Sequence, residues 1–446
     1  MNPLRTLYFG FALLVSLSSC KHEVDPVSPE QPNVPSEQPQ KRPGKVYPVG
    51  SPQGAAVTAT IGPAGGQLTS ADDRLTIIVP AGAVDAAQTF SIQPIGSTGP
   101  QSLGNAFRLS PHGTTFKKPV TIRFRYNPAM LTGSVAEALA PAYQNDKGVW
   151  TLAAKGKVDK AAQAVTVETT HFSDWALLER AKLLPEIGFV KPGEDIGLEV
   201  IVLNDEILVP MVKDTEIPEP YVSPADLIDA STWKLAGSGN LTPDNWKARY
   251  VAPNALPAVN PVAVSVKLKA PTSIDGQTFG ELQLVSNLYI GSEGLTFRIN
   301  GGKWITTLAT GRLLTQQGIR YLDMAAGVTQ EGNNWGVNIQ TYQPPVETDE
   351  NLALTYTSMT MPWSLEPTSP LFHLTDEKGK VYYKHFYAVP PVFIPSPGAL
   401  TFYRFGKKGD YIIGKFEMEK AGVYNDTRGY LGTARIEGFF RMKRAL

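Results

Sequence analysis

Val120-Thr121-Ile122-Arg123-Phe124-Arg125-Tyr126 alternates between apolar and polar side chains without a break. A period of two is the repeat of a β-strand, because successive side chains point to opposite faces of the pleat. The stretch puts Val120, Ile122, Phe124 and Tyr126 on one face and Arg123 and Arg125 on the other. This is the pattern of an antiparallel sheet with one dry side and one wet side. The same texture extends in both directions. Leu75 to Val79 is a short strand closed by Pro80, and Phe90, Ile92 and Pro94 share a face. Ala164 to Thr170 leads into Thr170-His171-Phe172-Ser173-Asp174-Trp175. The 40 glycines and 37 prolines of the 446-residue chain punctuate short runs, and long helical periodicity is absent. The fold class that follows is all-β, in tandem β-sandwich modules.

The amino terminus reads as an address. Leu7 to Leu17 is an apolar run behind Arg5, too short to span a bilayer and of the length of a signal-peptide core. Leu17-Ser18-Ser19-Cys20 resembles the bacterial lipobox. The resemblance implies a signal peptide over residues 1–19, cleavage before Cys20 and a diacylglyceryl thioether on its sulfur. Cys20 is the only cysteine, so no intramolecular disulfide is expected and the chain must rely on core burial. Lys21, Glu23 and Asp25 loosely resemble the export signal of Bacteroidota surface lipoproteins. Residues 20–48 are dense in Pro, Gln, Glu and Ser and read as a disordered tether. These features predict a lipid-anchored protein of the bacterial outer membrane, exposed at the surface.

Three modules follow. Residues 49–181 carry Ile61-Gly62-Pro63-Ala64-Gly65-Gly66, Val79-Pro80-Ala81-Gly82-Ala83-Val84, Leu109 to Phe116 and Lys118-Pro119-Val120. In that order, with Thr170-His171-Phe172-Ser173 at the end, they resemble a ZU-type domain, the β-sandwich of ankyrins, netrin receptors and zona-occludens proteins. Pro80 and Pro119 are expected at strand ends or edges. Residues 182–285 resemble bacterial immunoglobulin-like modules through Trp233, Gly237-Ser238-Gly239, Tyr250-Val251-Ala252-Pro253 and Val262 to Leu268. Residues 286–446 are expected to form a β-sandwich or barrel. A hairpin is predicted over Leu295 to Trp304, and three strands over Leu400 to Arg441. Gly414-Lys415-Phe416 and Gly438-Phe439-Phe440 resemble uncharacterised C-terminal domains of Bacteroidota lipoproteins.

Chemistry is sparse. Lys plus Arg and Asp plus Glu both number 41, so there is no basic stripe for nucleic acid. The histidines His22, His112, His171, His373 and His385 have no metal-ligand spacing, and no metal or cofactor is expected. No nucleophile elbow and no phosphate-binding loop occurs. Asp72-Asp73, Asp205-Glu206 and Asp376-Glu377 read as solvated turn acids rather than calcium ligands.

Two features remain. His171-Phe172-Ser173 is similar to the cleavage triplet of eukaryotic self-cutting relatives of the ZU-type fold, among them death-domain and inflammasome proteins. That resemblance implies Ser173 attacking the Phe172 carbonyl with His171 as base. Plain alternation offers another account, with Phe172 inward and His171 and Ser173 on the wet face, and it predicts an intact bond. Trp304, Trp335 and Trp363, with Tyr382, Tyr383, Tyr387 and Tyr403, form either an exposed aromatic platform or sandwich core, and core is preferred. The function expected is non-enzymatic binding, adhesion or spacing at the cell surface, with a protein or a glycan as ligand. Autoprocessing at Phe172-Ser173 is the alternative, and a glycan-active enzyme with two inward carboxylates a third. The sequence specifies neither the ligand nor an oligomeric state.

Overall fold

The structure is a computed structural model that describes residues 44–203, 213–218, 224–269, 273–274, 277–278, 282–316, 319–342, 359–389, 391–406 and 408–445. Cys20 and the segment read as a signal peptide lie outside these residues, as does Asp205-Glu206. The described residues form β-sheets joined by turns and four single-turn 3-10 helices.

The opening stretch lies in the strand Thr115–Arg125 and alternates as expected. Val120, Ile122 and Phe124 are buried, and Arg123 and Arg125 are exposed. This strand sits in a five-stranded sheet, between Leu75–Val79 and Ala164–His171. A seven-stranded sheet supplies the other layer, with Gln88–Ile95, Ala106–Ser110, Asp174–Glu179 and Leu139–Gln144 at its centre. Ile77, Ile122, Phe124 and Val165 from one layer share a core with Phe90, Phe107 and Trp175 from the other. Pro119 lies inside its strand rather than at an end. Thr169 pairs with Val120 and His171 with Thr115, so four residues, Phe116 to Pro119, face Thr170 alone. That irregularity spares the ladder the N–H that proline lacks.

The segment read as tether reaches the fold earlier than expected. Gly44 bridges Pro218, Val46 bridges Val149, and the Tyr47 N–H donates to the Gly148 carbonyl.

Two four-stranded sheets come next. One pairs Ala181–Leu184, Asp195–Val202, Lys247–Val251 and Asn240–Asp244. The other pairs Ile187–Val190, Leu282–Ile290, Val262–Leu268 and Lys234–Ala236. Their shared core holds Val200, Tyr250, Val264 and Leu284. Thr215–Glu216 departs from this unit and pairs with Trp150–Leu152 at the edge of the seven-stranded sheet.

The last unit is an eleven-stranded antiparallel sheet running from Ile305–Thr307 at one edge to Ala309–Gln316 at the other. It curls until Gly311 bridges Arg444, and the Thr307 hydroxyl reaches the Gly327 carbonyl. The two Gly-x-Phe stretches meet across one strand pair. Gly414 pairs with Phe440, and Phe416 with Gly438. A Cβ on Gly414 would fall 2.4 Å from the Phe440 ring, and one on Gly438 2.3 Å from the Phe416 ring. Each glycine therefore vacates the space its cross-strand phenylalanine fills.

Candidate functional site

The His171-Phe172-Ser173 triplet is not a continuous strand. Ala164–His171 ends in the five-stranded sheet and Asp174–Glu179 begins in the seven-stranded one. Phe172 and Ser173 carry the chain across the core. The Phe172 ring packs edge-on against Phe116 and Phe90, with centroids at 4.7 and 5.9 Å. Ser173, expected on the wet face, is buried, and its hydroxyl has no hydrogen-bond partner among the described residues. His171 is half-buried between Tyr143 and Trp175. Its Nδ1 lies 3.2 Å from the Thr169 hydroxyl. Burial lowers the His171 pKa, partly offset by Asp214 and Asp146. The Phe172 carbonyl accepts the Gly113 N–H at 3.5 Å, and the Ser173 carbonyl accepts that of Leu109 at 3.1 Å. Base and nucleophile are therefore neighbours in sequence without a hydrogen bond between them. A base must reach the proton it removes.

The three tryptophans do not share one surface. Trp363 is buried against Phe372, and its indole N–H donates to the Glu417 carbonyl at 2.8 Å. Trp304 is nearly buried. Its N–H donates to the Pro257 carbonyl at 3.0 Å, and the Arg298 guanidinium lies 4.3 Å from its ring centre. Trp335 is half-buried, edge-on to Phe297, and opens onto a cleft of about 360 Å³.

This cleft lies where the hairpin Gly294–Thr307 meets the turn after Gln330. Ile299, Ile305 and Trp335 supply its apolar wall, and Lys303, Gln330, Glu331, Asn333 and Lys378 its polar rim. Asn300 and Gly301 have positive φ and turn the hairpin so that Lys303 faces Glu331 at 2.8 Å. That hydrogen bond raises the Lys303 pKa. Gln330 Nε2 donates to the Trp304 carbonyl. The Asn333 side chain donates to Asp376 and accepts the Lys378 N–H, which fixes the turn bearing Lys378. The Lys378 ammonium makes no ion pair among the described residues. A second hollow, of about 570 Å³, lies on the other side of Gly302 and Lys303, against Arg298, Leu256 and Trp304.

Concave shape, one aromatic wall and a few fixed polar groups are the general form of a small-ligand site. Sequence reading found Trp335 and the hairpin. It missed Gln330, Glu331, Asn333 and Lys378, which carry no motif and meet the hairpin only through the sheet. The remaining acids behave as turn residues: Asp72 accepts from Ser70 and Arg74, and Asp376 from Gly379. Among the described residues, no group of three His, Cys, Asp or Glu is placed to hold a metal ion. No protein-family model matches the chain, and no curated protein matches it.

Proposed function

We propose that this chain is a lipid-anchored cell-surface protein of a bacterial outer membrane that binds glycan without transforming it. The observation that carries the reading is the Trp335 cleft. A half-exposed indole offers its face to the C–H side of a sugar ring, and the rim supplies both donors and acceptors. Glycoside hydrolysis uses two carboxyl groups flanking the bond. The cleft wall holds one carboxylate, Glu331, tied to Lys303. This supports binding over turnover. The lipobox resemblance at Cys20 supports the anchor.

Glycan-array binding and titration calorimetry on the best binder test this. Trp335→Ala should weaken binding tenfold or more, about 1.4 kcal/mol, with Lys378→Ala losing less. Binding that survives both changes, in variants that melt like the parent, would place the ligand elsewhere.

The autoprocessing reading keeps one observation in its favour. The Ser173 hydroxyl is buried and unpartnered among the described residues, beside a carbonyl that meets an N–H at long range. The missing hydrogen bond to His171 weighs against it, and an intact chain is the outcome proposed.

A further inference from the structure

A two-stranded hairpin, Phe386–Tyr387 with Ile394–Pro395, stands apart from the eleven-stranded sheet, and neither the tryptophan cleft nor the histidine triplet uses it. Phe386 pairs with Pro395 and Tyr387 with Ile394. The Val392 N–H donates to the Val389 carbonyl at 3.0 Å and closes the turn. Around this turn three large apolar side chains face water. Val389 is 53% exposed, Val392 61% and Ile394 40%. No other six-residue stretch among the described residues exposes three. Burying them would be favourable, yet the fold leaves them out. Residues 386–397 carry no charged side chain.

Behind the tip lies a collar of rings. Phe386 packs on Phe393 with centroids at 4.8 Å and on Tyr424 at 6.1 Å, and Tyr424 lies 5.4 Å from Tyr430. The Tyr424 hydroxyl donates to the Ala388 carbonyl at 2.9 Å. The Ser396 N–H donates to the His385 carbonyl, and Pro391 and Pro395 have no N–H to leave unpaired. Charge near the collar comes mostly in opposite neighbours, all exposed: Glu419 with Lys420, and Asp426 with Arg428 in the turn after Tyr424. The Lys420 ammonium lies 5.8 Å from the Tyr387 ring centre, and Lys384, over the Tyr382 ring, adds one cation.

We propose that this tip enters the interfacial layer of a phospholipid bilayer, as a second, non-covalent membrane contact. An apolar tip with tyrosines behind it is the order of side chains that suits a membrane–water interface, where a ring and its hydroxyl sit at headgroup level. Backbone groups without partners oppose entry into lipid, and the turn, the prolines and Tyr424 leave few of them here. A projecting tip has no concavity for a small ligand. A protein partner would be held in register by charge, and the hairpin itself carries none. The proposal uses the Cys20 anchor only to bring a bilayer within reach. Residues 20–43, read from their sequence as a Pro-rich tether, would span roughly 70 Å at about 3.1 Å per residue. That length leaves the third unit free to meet the lipid although Gly44 lies on the first sandwich.

An environment-sensitive dye on Val392→Cys, with exposed Ala161→Cys of the first sandwich as control, tests the proposal in the full chain. The chain is reconstituted into vesicles of phosphatidylethanolamine and phosphatidylglycerol. There the Val392→Cys label should shift to the blue, and nitroxide-bearing lipid should quench it severalfold more than the Ala161→Cys label. Val389→Asp and Ile394→Ser, added separately, should each cut that quenching severalfold while melting like the parent. Since both side chains face water, failure of one variant to fold leaves the other decisive. A Val392→Cys label that stays open to aqueous iodide in the vesicles, or quenching unchanged in the folded variants, would overturn the proposal. So would a blue shift that follows protein concentration in detergent rather than lipid, which would make the tip a contact between copies. Intact mass scores the anchor separately. A lipidated chain whose label stays in water keeps the anchor and rejects the tip, and an unlipidated chain whose label enters added vesicles does the reverse.

Discussion

At the scale of single residues, burial decides roles that side-chain identity leaves open. Ser173 and His171 have the identities of a nucleophile and a base. Among the described residues the Ser173 hydroxyl has no hydrogen-bond partner, and His171 has a neighbouring threonine hydroxyl at 3.2 Å. Burial favours the neutral imidazole, which is the form able to accept a proton. The missing hydrogen bond between the two side chains, then, is what argues against the reaction. Mass spectrometry under denaturing conditions should find one polypeptide continuous through Phe172-Ser173. A major fragment that begins at Ser173 and vanishes in Ser173→Ala would reverse this. The triplet was legible as a motif. Its position at a crossing between two sheets was not, because alternation alone reads equally well as one unbroken strand.

At the scale of elements, the join between the first two sandwiches holds a buried charge cluster. Glu179 ends one strand, and Lys182 lies in the next. Lys182 Nζ sits 2.5 Å from Glu179 and 2.5 Å from Glu186. Burial pushes the Glu179 pKa up from 4.5 to about 7, with Lys182 pulling it the other way. Burial alone would lower Lys182, but the two carboxylates outweigh it and the pKa is raised. The folded state therefore holds the Glu179 proton more tightly than the unfolded state does. Its stabilising contribution is full below 4.5 and is lost as pH rises through about 7. Glu179→Gln should gain stability relative to the parent between about pH 5 and about pH 8, read as a smaller fall in melting temperature. Identical pH profiles for the two would show that Glu179 keeps an ordinary pKa. Within the last unit, the crossed Gly-x-Phe pairs show the opposite kind of legibility. The motif stood in the sequence, and only the register showed that each glycine faces a phenylalanine.

At the scale of the whole molecule, the proposed anchor has a direct test. Cys20→Ala removes the only thiol. The parent should partition into detergent with the mass of a lipidated chain, and the variant should retain its leader or leave the membrane fraction. A parent protein recovered in the soluble fraction, unmodified, would remove the anchor from the proposal. The second and third groups of sheets also touch through particular side chains. Tyr289, Trp304 and Phe439 make a small shared cluster, and Trp304 donates to Pro257 across it. What the sequence determined by itself was local. Period-two alternation placed Val120, Ile122 and Phe124 inward, and the hairpin at Asn300 to Trp304 followed from its glycines. What only the tertiary structure decided was every long-range pairing. Thr215–Glu216 joined an edge strand near Trp150, Lys378 came to the Trp335 cleft, and Asp323 was set among Asn338 and Gln340. The physical reason is that alternation states which face a residue takes, while strand pairing between distant segments states which neighbours it meets. Hydrogen-bonding ladders are alike for nearly all residues, so that second choice is made by packing of the whole sheet.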